Sequence, residues 1–218
     1  MATLKNHSIL LATFCGLALF SCNSPAPESG AALTTSLQNV SEKCDNPDAD
    51  IECCFLNMPV SLSSVMDICG PEEPGERLIL TGRVFKADGK TPFPDVIIYA
   101  YHTDNKGFYS KSGQETGVQR WHGRLHGWCR TDSEGHYEIH TIRPASYPNS
   151  DAPAHIHSAI KKPDGSMPFY ISDFVFRDDP FVSEMEISRG RYPGGSGIVD
   201  VVKSPEGVWT GNRDLVLP

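Results

Sequence analysis

Pro153-Ala154-His155-Ile156-His157 begins one of six short β-rich runs that follow Gly75 and decide the fold. Together with residues 155–160, these runs are residues 78–84, 96–102, 136–142, 169–176 and 214–217. Turn residues such as Asp164-Gly165 separate the runs, and no stretch between them has a sustained helical period. This spacing predicts an all-β fold, specifically an antiparallel β-sandwich over residues 76–218.

The two histidines of this stretch are spaced to act together. Side chains alternate faces along a strand, so His155 and His157 project to one side while Ile156 projects to the other. Neutral imidazole is a good ligand for iron, copper or zinc. A His-x-His pair alone is also found as two surface or hydrogen-bonded histidines, so the neighbouring sequence has to decide between these interpretations.

Two tyrosines supply that context. Tyr147 lies in a turn bracketed by Pro144 and Pro148, just before the histidine strand, and Tyr109 follows the run that ends at His102. Loops at one end of a sandwich can meet. A free tyrosine ionises only near pH ~10, so two phenolates beside two imidazoles favour a strongly Lewis-acidic, trivalent cation.

Four segments in order resemble the intradiol ring-cleavage dioxygenases, the family of catechol and protocatechuate 3,4-dioxygenases. They are the Tyr109 segment, Thr131-Asp132-x-x-Gly135-x-Tyr137, Thr141-Ile142-x-Pro144-x-x-Tyr147-Pro148 and Pro153-Ala154-His155-Ile156-His157. The resemblance covers residues 78–217. It implies the β-sandwich of that family and a non-haem Fe(III) cofactor with Tyr109 and His155 as equatorial ligands and Tyr147 and His157 as axial ligands.

The same resemblance implies a catalytic role for the two tyrosines. Tyr147 would leave the iron when a catechol binds and take up a substrate proton, while Tyr109 stays as a ligand. The substrates implied are a catechol-type ring and O2, and cleavage between the two hydroxyls would give a muconate-type product. A homo-oligomer is compatible with the sequence.

The sequence departs from the family at two positions. Ring-cleaving members commonly carry an arginine where Ala152 stands and a glutamine where Asp173 aligns. Arg143 is one of several nearby arginines that could replace the missing cation. His126 and Trp128 are candidates for lining an aromatic substrate pocket, together with Arg143 and Asp173, although each is also open to an ordinary packing or surface role.

Other functions compete with ring cleavage. The departures at Ala152 and Asp173 favour an iron- or catechol-binding surface lipoprotein without turnover as the second reading. The strand pattern is also similar to non-catalytic transthyretin-like binding modules, which lack the two tyrosines and two histidines. A zinc hydrolase would use the histidine pair with a nearby carboxylate such as Asp151, but it would leave both tyrosines without a role.

The N-terminus predicts export. Residues 1–21 contain Lys5 and then a short apolar stretch, which is typical of a signal peptide. Leu19-Phe20-Ser21-Cys22 resembles a lipoprotein cleavage box, so Cys22 is the expected lipid-attachment residue, although an ordinary secretory signal remains the alternative. Residues 22–43 have the composition of a flexible linker. The expected location is the bacterial cell envelope, where Asn23 is compatible with the outer membrane, and the lipid is the expected membrane contact.

Charge and cysteine content complete the prediction. The formal net charge is −8, which argues against a nucleic-acid partner. Residues 44–75 form an irregular Cys-rich segment with four of the five cysteines that follow Cys22, and an oxidising compartment permits disulfides there, leaving Cys129 free. Within this segment, residues 59–68 could form one short helix.

Overall fold

The computed structural model describes residues 43–183 and 193–218. The expected signal peptide, the lipid-attachment residue Cys22 and the linker before residue 43 lie outside the described residues. No helix within those two ranges has both the length and the apolar character that a membrane span requires.

Nearly all of the regular secondary structure in the described residues consists of short strands. They are β1 Val65–Asp67, β2 Arg77–Phe85, β3 Ile97–His102, β4 His126–Arg130, β5 His136–Ile142, β6 His155–Lys161, β7 Phe169–Tyr170, β8 Phe174–Phe176, β9 Ile198–Val199, β10 Val201–Lys203, β11 Trp209–Asn212 and β12 Leu215–Val216. Short helical turns occur at Ile51–Phe55, as a 3-10 helix, and at α1, Gln119–His122.

The strands form two six-stranded sheets. Sheet 1 has the order β1-β5-β2-β11-β10, with β12 also pairing with β2, and sheet 2 has the order β4-β3-β6-β8-β9, with β7 also pairing with β6. The antiparallel pairs β2/β5 and β3/β6 lie in the interior of the two sheets, and β4 is an antiparallel edge strand beside β3. Four pairs are parallel, namely β1/β5, β11/β2, β12/β2 and β8/β9.

The main core lies between the two sheets. It includes Met66, Leu78, Leu80, Val84, Ile98, Ala100, Ile139, Ile156, Ile160, Phe174 and Phe176. Strand β2 alternates buried and more exposed residues, because only one of its faces meets the core. Each fully buried Leu, Ile or Phe stabilises the fold by about 1.5–3 kcal/mol, so this layer is the main source of stability.

The segment before β1 covers the outer face of sheet 2. There Cys53, Cys54 and Phe55 pack against Tyr99 of β3 and Ala159 of β6. Strand β3 is consequently buried on both faces, which explains its nearly continuous apolar sequence. The outer face of sheet 2 therefore belongs to a second, smaller core.

One disulfide fastens this segment, between Cys44 and Cys53. Cys54, Cys69 and Cys129 are free thiols, as expected for Cys129. Burial raises the pKa of Cys54 to about 11 and that of Cys129 to about 12, so both stay protonated and act as packing residues.

The all-β sandwich predicted from the sequence is confirmed, with two corrections. The sheets are mixed, because β1, β9, β11 and β12 add parallel pairs to an antiparallel interior. The predicted helix within residues 59–68 is wrong, since β1 occupies part of that range and pairs with the edge of β5.

Candidate metal centre

The histidine pair lies on β6 with the expected alternation. Ile156 faces the core between the sheets, whereas His155 and His157 project from the outer face of sheet 2. Strand β3 places Tyr101 directly opposite His157, and both imidazole rings are only partly exposed. The rigid strand thus presents two imidazoles side by side at the edge of the smaller core.

Tyr109 lies on a loop that Asp104 organises. The Asp104 carboxylate accepts hydrogen bonds from the backbone amides of Lys106 at 2.8 Å and Phe108 at 3.1 Å, and from the Ser110 hydroxyl. Burial opposes ionisation of Asp104, but these hydrogen bonds outweigh it and hold the pKa of the carboxyl below its usual value. The charged Asp104 therefore fixes the loop that carries Tyr109.

Tyr147 lies on the irregular segment between β5 and β6, in the turn predicted from Pro144 and Pro148. Two hydrogen bonds connect this segment to the end of β3. The Thr103 hydroxyl donates to the carbonyl of Ala145 at 2.7 Å, and the Ala145 amide donates to the carbonyl of Asp104 at 3.1 Å. The two tyrosine-bearing loops are thus attached to each other.

The closest approach of the two loops requires a glycine. Gly107 has a φ of +84°, and a Cβ built there would overlap the carbonyl oxygen of Ser146 and lie 3.0 Å from Cδ of Pro148. Because only glycine fits this space and this backbone conformation without strain, Gly107 allows the Tyr109 loop to pack directly on the Tyr147 loop.

The four predicted ligands converge on one point. Tyr109 Oη lies 2.6 Å from Tyr147 Oη and 3.0 Å from His157 Nε2. Tyr147 Oη lies 3.0 Å from His155 Nε2 and 3.3 Å from His157 Nε2, and the two Nε2 atoms are 3.1 Å apart. Donor atoms bound at about 2.0–2.1 Å to one first-row metal ion lie roughly this far apart. The group has the dimensions of a metal-binding site.

The hydrogen bonds on the far side of each ring set the tautomers. His155 Nδ1 donates to the carbonyl of Pro153 at 2.6 Å, and His157 Nδ1 donates to the carboxylate of Asp173 at 3.0 Å. Each neutral ring therefore directs the Nε2 lone pair at the other three donors. Two lone pairs that face each other at 3.1 Å repel, and a cation between them removes that repulsion.

The protonation states of this group also suit a strongly Lewis-acidic ion. Burial and the neighbouring His157 lower the pKa of His155, which favours the neutral ring that binds metals. Burial raises the pKa of Tyr109 well above its ordinary value and also raises that of Tyr147. Neither phenol ionises unaided at neutral pH, so a phenolate pair here requires a hard cation such as Fe(III). The residues fit that ion.

Aromatic residues that the sequence analysis missed support the centre from the β3 side. The Tyr101 ring lies between His157, at 4.7 Å between ring centroids, and His122 of α1, at 3.7 Å and nearly parallel. The buried Tyr99 hydroxyl and His122 Nδ1 are 2.8 Å apart. Tyr99 and Tyr101 have the same two-residue spacing as the histidine pair. This spacing is the sequence signal that could have placed the two tyrosines on one face of a strand.

The four residues proposed for a substrate pocket do not line one common cavity: His126 and Trp128 share a cavity that includes neither Arg143 nor Asp173. His126 and Trp128 lie on β4, where His126 is opposite Tyr101, so that Tyr101 separates it from His157. They line a cavity of about 230 Å³ that also contains Asn57. Asp173, by contrast, contacts His157 directly. Cavities of about 690 and 530 Å³ lie against sheet 1 and include none of the four donors.

Arg143 does not reach the four donors either. Its guanidinium donates to both carboxylate oxygens of Asp178 at 2.9 and 2.7 Å and stacks on Trp209 with a 4.4 Å separation. Three other arginines close to these motifs in the sequence, Arg120, Arg124 and Arg130, also have acidic partners, which are Asp45, Glu73 and Asp95. All four of these arginines are thus paired with carboxylates.

Comparison with known proteins finds similarity to dioxygenases. A family model described as Dioxygenase matches residues 58–193. Catechol 1,2-dioxygenase 2 of Acinetobacter lwoffii is 28% identical over 151 residues, which cover 54% of this chain and 52% of that protein. The protocatechuate 3,4-dioxygenase beta chain of Burkholderia cepacia is 34% identical over 95 residues, which cover 41% of this chain and 40% of that one.

Solved structures support the fold. Catechol 1,2-dioxygenase from Acinetobacter sp. ADP1 has a TM-score of 0.52 at 21% identity, covering 87% of this chain and 69% of that chain. The intradiol ring-cleavage dioxygenase from Tetranychus urticae has a TM-score of 0.53 at 19% identity, covering 74% and 88%. The fold is therefore a β-sandwich of the dioxygenase type.

The chain belongs to the intradiol ring-cleavage dioxygenase family, because the matched residues span more than half of its sequence. Its matches span between 24% and 52% of the length of the curated relatives.

Proposed function

We propose that this protein is a non-haem Fe(III) dioxygenase that cleaves a catechol-type ring between its two hydroxyl-bearing carbons. Both atoms of O2 enter the muconate-type product. The observation that carries the proposal is the convergence of Tyr109 Oη, Tyr147 Oη, His155 Nε2 and His157 Nε2, with every measured separation at 3.3 Å or less.

Tyr109, Tyr147, His155 and His157 would hold the iron. When bound, ferric iron supplies a Lewis acid that acidifies the catechol hydroxyls and orients the ring for reaction with O2. The two histidines are fixed by β6, so they provide the rigid half of the centre. The two tyrosines come from loops, which provide the adjustable half.

Tyr147 is the residue suited to exchange a proton with the substrate. As a phenolate, its Oη would be able to accept a catechol proton, and the neutral phenol so formed would be a weaker metal ligand. Its loop has no regular secondary structure, and Asn149 in the same segment adopts a positive φ of 60°. Tyr109 is held more firmly through the hydrogen bonds of Asp104 to its loop, so it remains the constant anionic ligand.

A second function is favoured by one specific observation. By the family resemblance, Ala152 stands at a position where ring-cleaving members commonly carry an arginine. Arg143, which could have replaced that arginine, donates its hydrogen bonds to Asp178. A centre without that cation would bind iron and catechol but turn over slowly or not at all. The runner-up is therefore a catechol-binding protein with the same metal site.

Visible spectroscopy separates these functions. We expect the iron-loaded protein to show a tyrosinate-to-Fe(III) band that shifts when catechol is added without oxygen, and a muconate-type product to form in air. Tyr109→Phe and Tyr147→Phe should each weaken the band. Tyr101→Phe is the matched control, because the Tyr101 ring lies 5.9 Å from the Tyr109 ring but its oxygen is not one of the four donor atoms. This variant should leave the band unchanged.

A shifted band without product would favour the binding protein. A colourless protein with full iron occupancy would reject both functions.

We also propose that the chain is exported and attached to the cell envelope by a lipid on Cys22. The support is the sequence of residues 1–22. Cys22→Ala should move the protein from the membrane fraction to the soluble fraction, and Cys129→Ala, which changes a buried cysteine, should not. A Cys22→Ala protein that stays in the membrane fraction would contradict the lipid anchor.

A further inference from the structure

Among the residues that the structure describes, a charged hydrogen-bond partner is found for one of the two imidazole rings. His157 Nδ1 donates to Asp173 Oδ1 at 3.0 Å, whereas His155 Nδ1 donates to the neutral carbonyl of Pro153 at 2.6 Å. The two histidines share a strand and a face, but their outer hydrogen-bond partners differ by one full negative charge. They are therefore not equivalent as metal ligands.

The strand register explains this contact. Strands β6 and β8 are antiparallel, with His155 opposite Val175 and Ile156 opposite Phe174. Continued by one residue, this register places His157 opposite Asp173, the residue that immediately precedes β8. Their side chains are 24% and 35% exposed. This partial burial makes the pair stronger than a solvent-exposed one, because water screens it less.

Asp173 is not itself one of the converging donors, although ligand-capable atoms of His155, His157 and Asp173 lie within 4.8 Å of one another. Its carboxylate is bonded to Nδ1, on the opposite edge of the His157 ring from Nε2. The Nε2 edge faces Tyr109 and Tyr147 instead. The Asp173 carboxylate is thus a hydrogen-bond acceptor for a candidate metal ligand, on the side of the ring away from the other donors.

We propose that Asp173 is a positioning residue that makes His157 the more electron-rich of the two imidazoles and so favours binding of Fe(III) over Fe(II). A carboxylate that accepts a ligand's outer N–H raises the basicity of the ring and fixes its orientation, and losing such a partner typically lowers metal affinity about 10- to 100-fold. The inference rests on the proposed function, and it gives a role to a departure from the family pattern.

Three variants separate charge from hydrogen bonding. Asp173→Asn keeps an oxygen that accepts from Nδ1 but removes the charge, Asp173→Gln introduces the neutral residue that the family resemblance predicts, and Asp173→Ala removes both. Asp151→Asn is the charge-matched control, because Asp151 is an exposed aspartate four residues before His155. Circular dichroism and thermal melts are to be used to check that each variant folds.

The readouts are Fe(III) release to a competing chelator, the Fe(III)/Fe(II) reduction potential and the position of the tyrosinate band. We expect Asp173→Asn and Asp173→Gln to weaken Fe(III) binding about 10-fold or more relative to the wild type. If Fe(II) binding is unchanged, each tenfold loss raises the potential by about 59 mV. The band should move in both variants, and Asp151→Asn should match the wild type in all three readouts.

Wild-type values for Asp173→Asn and Asp173→Gln would overturn the inference, even if Asp173→Ala is impaired, because the charge would then have no effect on the iron. A wild-type protein that binds iron without a tyrosinate band would instead refute the proposed function, so the two failures are distinguishable.

Discussion

Replacing Gly107 with alanine tests whether the contact between the two tyrosine loops forms the metal centre. The φ of +84° costs an alanine about 1–2 kcal/mol. The overlap of its Cβ with the Ser146 carbonyl requires the backbone to move, which adds about 1–3 kcal/mol. The stiffer unfolded chain returns about 0.4–1 kcal/mol. We expect a net loss of about 1–5 kcal/mol in the free energy of unfolding.

The displacement should also affect iron. Ser146 precedes Tyr147 and Gly107 lies two residues before Tyr109, so moving the loops apart lengthens the 2.6 Å separation of the two phenol oxygens. We expect about a tenfold loss of iron affinity. Urea denaturation and iron titration measure the two effects.

Gly165→Ala provides the matched control. Gly165 has a φ of +76°, but nothing lies within 4 Å of a Cβ built there. This variant should lose only about 1 kcal/mol and bind iron normally. Equal losses of stability in the two variants, with iron affinity unchanged in both, would refute the argument that the Ser146 contact holds the loops together.

Three further predictions follow from buried and bridging groups. Burial lowers the pKa of His102 from 6.5 to about 4, so the free energy of unfolding should fall by about 3 kcal/mol as the pH drops from 6.5 to 4. In urea titrations, His102→Asn should make the free energy of unfolding depend less on pH. The same pH dependence in the variant and the wild type would contradict this prediction. Reducing Cys44–Cys53 should cost about 2–3 kcal/mol in the same assay without changing iron uptake. Asp104→Asn should cost about 1–3 kcal/mol and weaken iron binding, whereas Asp88→Asn, which changes a similarly bonded exposed turn, should leave iron binding unchanged.

The four converging donors could be predicted from the sequence because each lies in a short local motif. The two-residue spacing of His155 and His157 fixes their common face by strand geometry alone. The positions of Tyr109 and Tyr147 at strand ends make a meeting of their loops geometrically reasonable. Such signals need only a few neighbouring residues.

The supporting contacts could not be predicted in the same way, because they join distant parts of the chain. The engagement of Arg143 by Asp178 requires β5 and β8 to lie in facing sheets, and no local pattern indicates this. The helix predicted within residues 59–68 failed for a related reason. Residues of β1 gain their hydrogen bonds from the edge of β5, which lies about 70 residues further along the chain.

The partners of β2 have a consequence for the timing of folding. This strand pairs with β5 on one side and with β11 and β12 on the other, so Leu80 in its middle lies opposite Gly211. Sheet 1 cannot close until residues 209–216 have been synthesised, and pairing over so long a separation is slow. Until these residues pair with β2, that strand has an unpaired edge, which is open to association with other chains.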